Sequence, residues 1–449
     1  MPRSIIALLL LALPAPAPAG ALAAAGEQDR LSNWPQWRGP NSDGLSPQGD
    51  PPVEWSETKN VRWRVEVPGS GSATPVIWGE KLFVLTAIDT GRKAPGGDKV
   101  PEPPAAGRGM SVPSPGTIHK YDVMCLDRMT GRIIWSRTAV EAMPHEGHHN
   151  THGYASGSPA TDGKILIASF GSRGIFCYDL DGNLKWEKDL GQMKIKVGFG
   201  EGVSPVLHGN SVVVNRDHEA GSFIVCLDGA TGDERWKVSR DEGTTWATPL
   251  VVEHEGKTQV VVNGTKKVRS YDLASGNLIW ECGGQTMNAI PTPFALEGRV
   301  YCMSGYRGNA VYAIKLSSKG DVSANPEQVA WKRTDAGPYV ASPLLYDGLI
   351  YLTKERQGIL FCVDARTGDL KFGPERLPEM DTVYASLLGA GGKVYISSRE
   401  GTTVVLKAGP KYEVLATNKL SEPIDASPVA VGKQLYLRGS KSLYCIESR

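Results

Sequence analysis

The 449-residue sequence predicts an all-β fold: an eight-bladed β-propeller of four-stranded antiparallel blades, closed by an N-terminal strand that completes the C-terminal blade. Three observations predict it. Small-x-Pro anchors recur along the chain, a tryptophan-bearing strand precedes most of them, and one tryptophan stands apart near the N-terminus.

The anchors end at Pro75, Pro159, Pro205, Pro249, Pro293, Pro343 and Pro428, with the YASL segment ending at Leu387 filling an eighth slot. Successive spacings are 84, 46, 44, 44, 50, 44 and 41. The long first interval carries a Pro/Gly-rich insertion over about 90–117. After each anchor come a short turn, an alternating strand such as KLFVLTA or QLYLRGS, a second strand such as FIVCLD, an Asp-x-x-Thr-Gly turn or a relative, and a strand bearing Trp. Four strands in about 44 residues is the period of a propeller blade. No amphipathic helical pattern separates the strands, which excludes a doubly wound α/β fold.

The tryptophan slot holds Trp135, Trp186, Trp236, Trp280 and Trp331, with Phe372 and Leu415 expected in the same place. The last unit ends at Arg449 before any such strand. Trp63 lies 12 residues before Pro75, as Trp331 lies 12 before Pro343. Residues around Trp63 are therefore expected to close the ring, removing two exposed sheet edges. The expected organisation is a signal peptide over 1–25, an extension over 26–60 and the propeller over 61–449.

One Arg, an apolar run from Ile5 to Leu13 and a small-residue stretch ending Ala23-Ala24-Ala25 read as a cleaved Sec-type secretory signal, placing the mature chain in the periplasm or outside the cell. No cysteine lies near that cleavage site, so no lipid anchor is expected there, and no transmembrane segment is expected. Net charge +1 argues against nucleic acid as a partner. Cys125, Cys177, Cys226, Cys362 and Cys445 share one repeat slot, a blade apart from one another, so no disulfide is expected among the seven cysteines.

Antiparallel order puts the loops between strands four and one, and between strands two and three, on one face. That face, called the top, is where irregular sequence and function are expected. The opposite face takes the stereotyped turns, whose Asp and Gly serve turn geometry. Basic residues fall in the top loops: Arg173, Arg216, Lys266, Lys267, Arg307, Arg356, Arg399 and Arg438. They are candidates for an anion-attracting collar, with Asp217, Glu355 and Glu400 available to neutralise it. Tyr154, Trp246, Tyr339 and Tyr384 stand near the starts of first strands and are candidates for stacking on a ligand.

The stretch HEGHHNTHG places His145, His148, His149 and His152 in a top connection. Their spacing would align four ligands on a helix, but Gly147, Asn150 and Gly153 oppose one, so a zinc or copper site would need the loop itself to gather the imidazoles. There is no HExxH, CxxCH, GxSxG or EF-hand pattern.

The segments CLDGATGDERW (226–236), YDLASGNLIW (271–280) and CVDARTGDLKF (362–372) resemble the PQQ-like propeller repeat, shared by quinoprotein alcohol dehydrogenases and by the propeller lipoprotein of the outer-membrane protein assembly machine. NWPQWRGPNSDG (33–44) and SGYRGNAVYAI (304–314) resemble secreted propeller proteins of planctomycete-type bacteria. The resemblance implies a propeller and little about activity; the repeat and the absence of catalytic motifs leave two functions to weigh. One is a non-catalytic binding or scaffold protein, expected as a monomer, whose top face takes an envelope protein, a glycan or another anionic ligand and needs no cofactor. The other is an oxidoreductase using pyrroloquinoline quinone (PQQ) with calcium. The dehydrogenases carry two adjacent cysteines beside the quinone, and no two cysteines are adjacent here.

Overall fold

The computed structural model describes residues 27–93, 112 and 116–448. The expected signal peptide and most of the 90–117 insertion lie outside the described residues. Eight antiparallel sheets form the blades, spanning 76–142, 160–188, 206–239, 250–283, 294–333, 344–376, 388–419 and, for the eighth, 429–446. The strand Val61–Glu66 completes the eighth blade by pairing antiparallel with Ser442–Ile446, and Trp63 lies opposite Cys445. The ring closes as the sequence predicts.

Adjacent blades are held by a repeated contact. Trp63, Trp135, Trp186, Trp236 and Trp331 each donate Nε1–H to a carbonyl of the next blade, at 2.8–3.1 Å. Each ring lies on the glycine of that blade's turn: Gly131, Gly182, Gly232, Gly276 and Gly368 have φ of 73–83°, and a Cβ there would stand 2.7–2.8 Å from the indole. Glycine is therefore required twice, for left-handed backbone and for the ring above it. Burying each indole stabilises the junction by about 1.5–3 kcal/mol. All seven cysteines are free and buried; five are the small cross-strand partners of the slot, as at Cys125 opposite Trp135.

Three junctions depart from the pattern for physical reasons. The sixth blade's slot, opposite Cys362, holds Phe372, which has no side-chain N–H to donate and packs against Tyr351 and Tyr412 at 6.2 and 5.8 Å. The fifth blade has no such glycine turn, and Trp280 instead donates to Gln259 Oε1, whose Nε2 reaches the Leu316 carbonyl. In the seventh blade the slot holds Ala416, opposite Val405, and not Leu415 as expected. Leu415 is exposed because a register shift between Val405 and Leu406 turns it outward. Trp55 of the N-terminal segment supplies the missing indole, packed in the same cluster as Ala416 and stacked on Tyr395 at 6.4 Å.

A second ring runs around the axis at the top of the inner strands. The residue before each anchor proline, or before Leu387, is Ser or Thr, and its N–H donates to the hydroxyl of its counterpart in the next blade. The chain of bonds runs Thr74→Ser158→Ser204→Thr248 and Thr292→Ser342→Ser386→Ser427→Thr74, at 2.9–3.2 Å. Seven links join eight blades. The missing one, from Thr248 to Thr292, leaves the Thr292 hydroxyl without a partner among the described residues.

Residues 33–50 enter the axial channel. Trp34 bridges antiparallel to Ile77 on the first blade's inner strand, and the Pro35 carbonyl accepts from Thr161 N–H of the second blade. Buried Arg38 donates to the Leu387 carbonyl (2.6 Å), the Asp43 carbonyl (3.0 Å) and the Pro343 carbonyl, tying the seventh blade to the sixth. The chain then descends as Leu45–Ser46, parallel to Leu388–Ala390. This segment is a plug against the inner strands of several blades. Burial pushes the Asp43 carboxyl up to about 6, against the opposing pull of its Leu45 N–H bond and Arg38.

Candidate functional site: an axial cup on the top face

Beside the plug the upper channel holds a cup of about 500 Å³. Trp37, donating from Nε1 to Ser427 Oγ at 3.4 Å, reaches it from the plug. Aromatic walls come from Phe199, Trp246, Tyr306, Tyr339 and Tyr384. Each stands in a loop leading into an inner strand or between the second and third strands, so the fold converges them without any sequence proximity. Tyr306 and Tyr339 stack at 4.8 Å, and Trp246 is pinned by its Nε1–H to the Gly200 carbonyl at 2.8 Å. Hydroxyls of the axial ring, Thr74, Ser158, Ser204, Ser386 and Ser427, line the same space.

Of the predicted aromatics, Trp246, Tyr339 and Tyr384 line this cup, whereas Tyr154 is turned aside between His119 and His148, edge-on at 5.0 and 4.6 Å. Sequence reasoning passed over Trp37, Phe199 and Tyr306. The hydroxyl ring had a visible signal, the Ser or Thr before every anchor proline.

The basic residues do not form an open collar. Arg216 and Arg438 are buried and donate to carbonyls: Arg216 to Gly171 (3.2 Å) and Gly191, Arg438 to Ala73 (2.8 Å). Burial alone lowers the Arg438 guanidinium to about 10. Lys266 faces Asp241 at 3.8 Å, and Lys267 lies between Glu281 (2.5 Å) and Asp321 (2.8 Å). Arg399 pairs with Asp425 at 2.8 Å and lies over the Tyr384 ring at 5.0 Å. Arg307 lies over Tyr306 at 5.4 Å. Arg173 faces a smaller cavity described below. Arg356 is exposed at the rim, 3.4 Å from the Tyr384 hydroxyl. Most of these cations are spent on neighbouring acids or carbonyls, and the cup carries little net charge.

The four loop histidines part company. His149 lines the cup and meets Phe199 edge-on at 5.2 Å; burial and the positive charge of Arg356 and Arg399 lower its pKa. His148 Nδ1 lies 2.8 Å from the His149 carbonyl. His152 is held between Ser156 Oγ (3.0 Å) and the Glu201 carbonyl (2.8 Å), and burial lowers it to about 4. His145 turns away into a cavity of about 40 Å³ behind Ser156 and Gly202, with Glu146, Glu201, Arg173 and Arg216. There the His145 Nε2 lies 3.7 Å from Glu146 and 3.4 Å from Glu201. Burial pushes the Glu146 carboxyl up to about 8 and lowers His145. Glu146 and Glu201 were not anticipated, since Glu201 is 56 residues from His145 in sequence and only the fold joins them.

A family model described as outer membrane protein assembly factor BamB matches residues 119–372, more than half of the chain. No curated protein matches the sequence. Among solved structures, BamB from Moraxella catarrhalis superposes with a TM-score of 0.56 at 12% identity, covering 86% of this chain and 99% of that one. Quinohemoprotein alcohol dehydrogenase from Comamonas testosteroni gives 0.62 at 11% identity, covering 95% and 84%. The quinohemoprotein alcohol dehydrogenase ADHIIG from Pseudomonas putida gives 0.63 at 11% identity, covering 95% and 82%. At these identities the likeness concerns the fold. Among the described residues, no helix is long and apolar enough to cross a membrane.

Proposed function

The chain belongs to the PQQ-like propeller family whose model is described as outer membrane protein assembly factor BamB, and from that premise we propose that it is a non-catalytic binding protein of the cell envelope whose top-face cup takes the end of a neutral glycan. The observation that carries this reading is the cup itself: aromatic faces, a ring of hydroxyls, and an Asp425 carboxylate already paired with Arg399. Sugars present apolar C–H faces that stack on aromatic rings and hydroxyls that exchange bonds with serines and threonines. An anion would find Arg356 as its main free cation in the lining, beside Glu355 and Asp425.

The alternative, a quinone-dependent dehydrogenase, meets a mismatch of residues. PQQ is a planar polycarboxylate bridged to protein by a divalent cation, so its site needs several free cations and converging oxygen ligands. The cup's two carboxylates do not supply this: Asp425 is engaged by Arg399, and Glu355 stands beside Arg356. The group of His145, Glu146 and Glu201 lies outside the cup lining. No redox step is therefore derived for this chain.

An oligosaccharide array followed by calorimetry with the strongest binder tests the proposal. Saturable binding of a neutral oligosaccharide at one site per chain, without turnover, is expected. Oxidation of an alcohol or sugar in the presence of the quinone, calcium and an artificial electron acceptor, with no oligosaccharide bound, would overturn it.

A further inference from the structure

Behind the wall of the cup, His145, Glu146 and Glu201 bring one ligand atom each within 4.8 Å of the others. The imidazole Nε2 stands 3.4 Å from one carboxylate oxygen and 3.7 Å from the other. Ligands on a tetrahedral ion at about 2.0–2.2 Å lie about 3.3–3.6 Å apart. Thus the two distances from the imidazole are already close to tetrahedral edges, and the two carboxylate oxygens lie within 4.8 Å of each other. Their side-chain exposures are 14%, 9% and 14%, so they are not a solvated acidic patch. The 40 Å³ cavity they border has room for an ion and little more.

Two further facts point the same way. Among the described residues Glu146 has no Lys or Arg within ion-pair distance; its carboxylate meets only the Ile195 N–H, at 3.0 Å, and His145. A buried carboxylate in that state is costly unless a proton or a cation joins it. The two carboxylates are also held in place: Glu201 accepts from Ser172 N–H at 2.6 Å and from the Ser172 hydroxyl, and Glu146 accepts from the Ile195 N–H. Carboxylates fixed in this way lower the ordering cost of binding.

We propose that His145, Glu146 and Glu201 form a zinc site, with His145 Nε2 and one oxygen from each carboxylate as ligands and water in the fourth position. On binding, His145 leaves the Met193 carbonyl, 2.7 Å from its Nε2, and its ring proton moves through solvent from Nε2 to Nδ1, which frees the Nε2 lone pair for the ion. One imidazole and two carboxylates favour zinc over calcium or magnesium, which prefer all-oxygen sets of higher coordination. Arg173 and Arg216 line the same cavity. Their charge opposes any divalent cation there, and the two carboxylates offset it. The cysteines play no part, being buried in the strands with thiols pushed upward by burial.

The full chain, stripped with chelator and dialysed against zinc, tests this by metal analysis. One zinc per chain is expected in the wild type and in a His148→Ala, His149→Ala double variant, and almost none in Glu146→Gln, Glu201→Gln, with near-ultraviolet circular dichroism confirming the fold. Cobalt substitution in the wild type gives a readout that does not depend on variants folding: visible d–d absorption of an N/O set without a thiolate charge-transfer band. Absence of zinc from the wild type, its loss from the His148/His149 variant, its retention in the Glu146/Glu201 variant, or a thiolate band would each overturn the assignment.

Discussion

The two faces of the propeller are built on different rules. On the turn face, five of the eight junctions repeat one contact, an indole on a left-handed glycine with its N–H on the next blade's carbonyl. On the top face, above the shared hydroxyl ring, the blades contribute different groups: a stacked tyrosine pair, a histidine loop, an arginine tied to a carbonyl. Repetition marks cohesion, because each blade must bury the same edge against the same neighbour. Irregularity marks recognition, because a ligand on the axis meets eight blades at once and needs a different group from each.

Breaking the repeated contact should therefore cost stability and spare binding, while changes at the cup should do the reverse. The largest stability loss is expected from Trp186→Ala, at about 3–5 kcal/mol, read as a shift in the urea midpoint with the wild-type oligosaccharide affinity retained near the denaturant-free limit. Next comes Arg38→Ala, which leaves the Leu387, Asp43 and Pro343 carbonyls without their donor. A loss of about 3 kcal/mol is expected, with faster amide exchange over 34–46 and weaker binding, because Trp37 is then no longer held in the cup.

Asp43 gives a pH-dependent version of the same comparison. Its carboxyl is raised to about 6 in the folded chain, against about 3.9 unfolded. The folded state holds that proton more tightly, so the favourable contribution is complete below about pH 4 and lost as pH rises through about 6. Stability attributable to this group should fall by about 2 kcal/mol over that window. Urea midpoints at pH 4 and pH 7 should differ less in Asp43→Asn than in the wild type. The smallest effect is expected at the hydroxyl ring: Ser386→Ala removes the acceptor of the Ser342 N–H and should cost about 1 kcal/mol.

The turn face was legible because its constraint is local and periodic. Pro75 through Pro428, the Trp slot and the displaced Trp63 carry the blade number and the closure without any long-range information. Leu415 shows the limit: a one-residue register shift moved the slot to Ala416, and the compensating indole came from Trp55, far away in the chain. The top face was legible only in part. Trp246, Tyr339 and Tyr384 reach the cup because their position in the blade puts them there. Arg216 and Arg438 were expected in loops but end equivalent second strands, Ser211–Arg216 and Gln434–Arg438, and turn inward to carbonyls, a choice set by neighbouring backbone that no spacing records. The plug over 33–50 has no period, and the partnership of His145 with Glu201 exists only once the second and third blades are side by side.

The most direct test of the account separates cup tryptophans from latch tryptophans in one experiment. With all 11 tryptophans replaced by 5-fluorotryptophan, fluorine NMR is recorded while the strongest-binding oligosaccharide is added, with Trp37→Phe and Trp246→Phe assigning the two cup signals. Shifts confined to Trp37 and Trp246, with Trp63, Trp135, Trp186, Trp236 and Trp331 unmoved, are the predicted result. Movement of the latch signals with the cup signals silent would contradict the axial cup as the binding site.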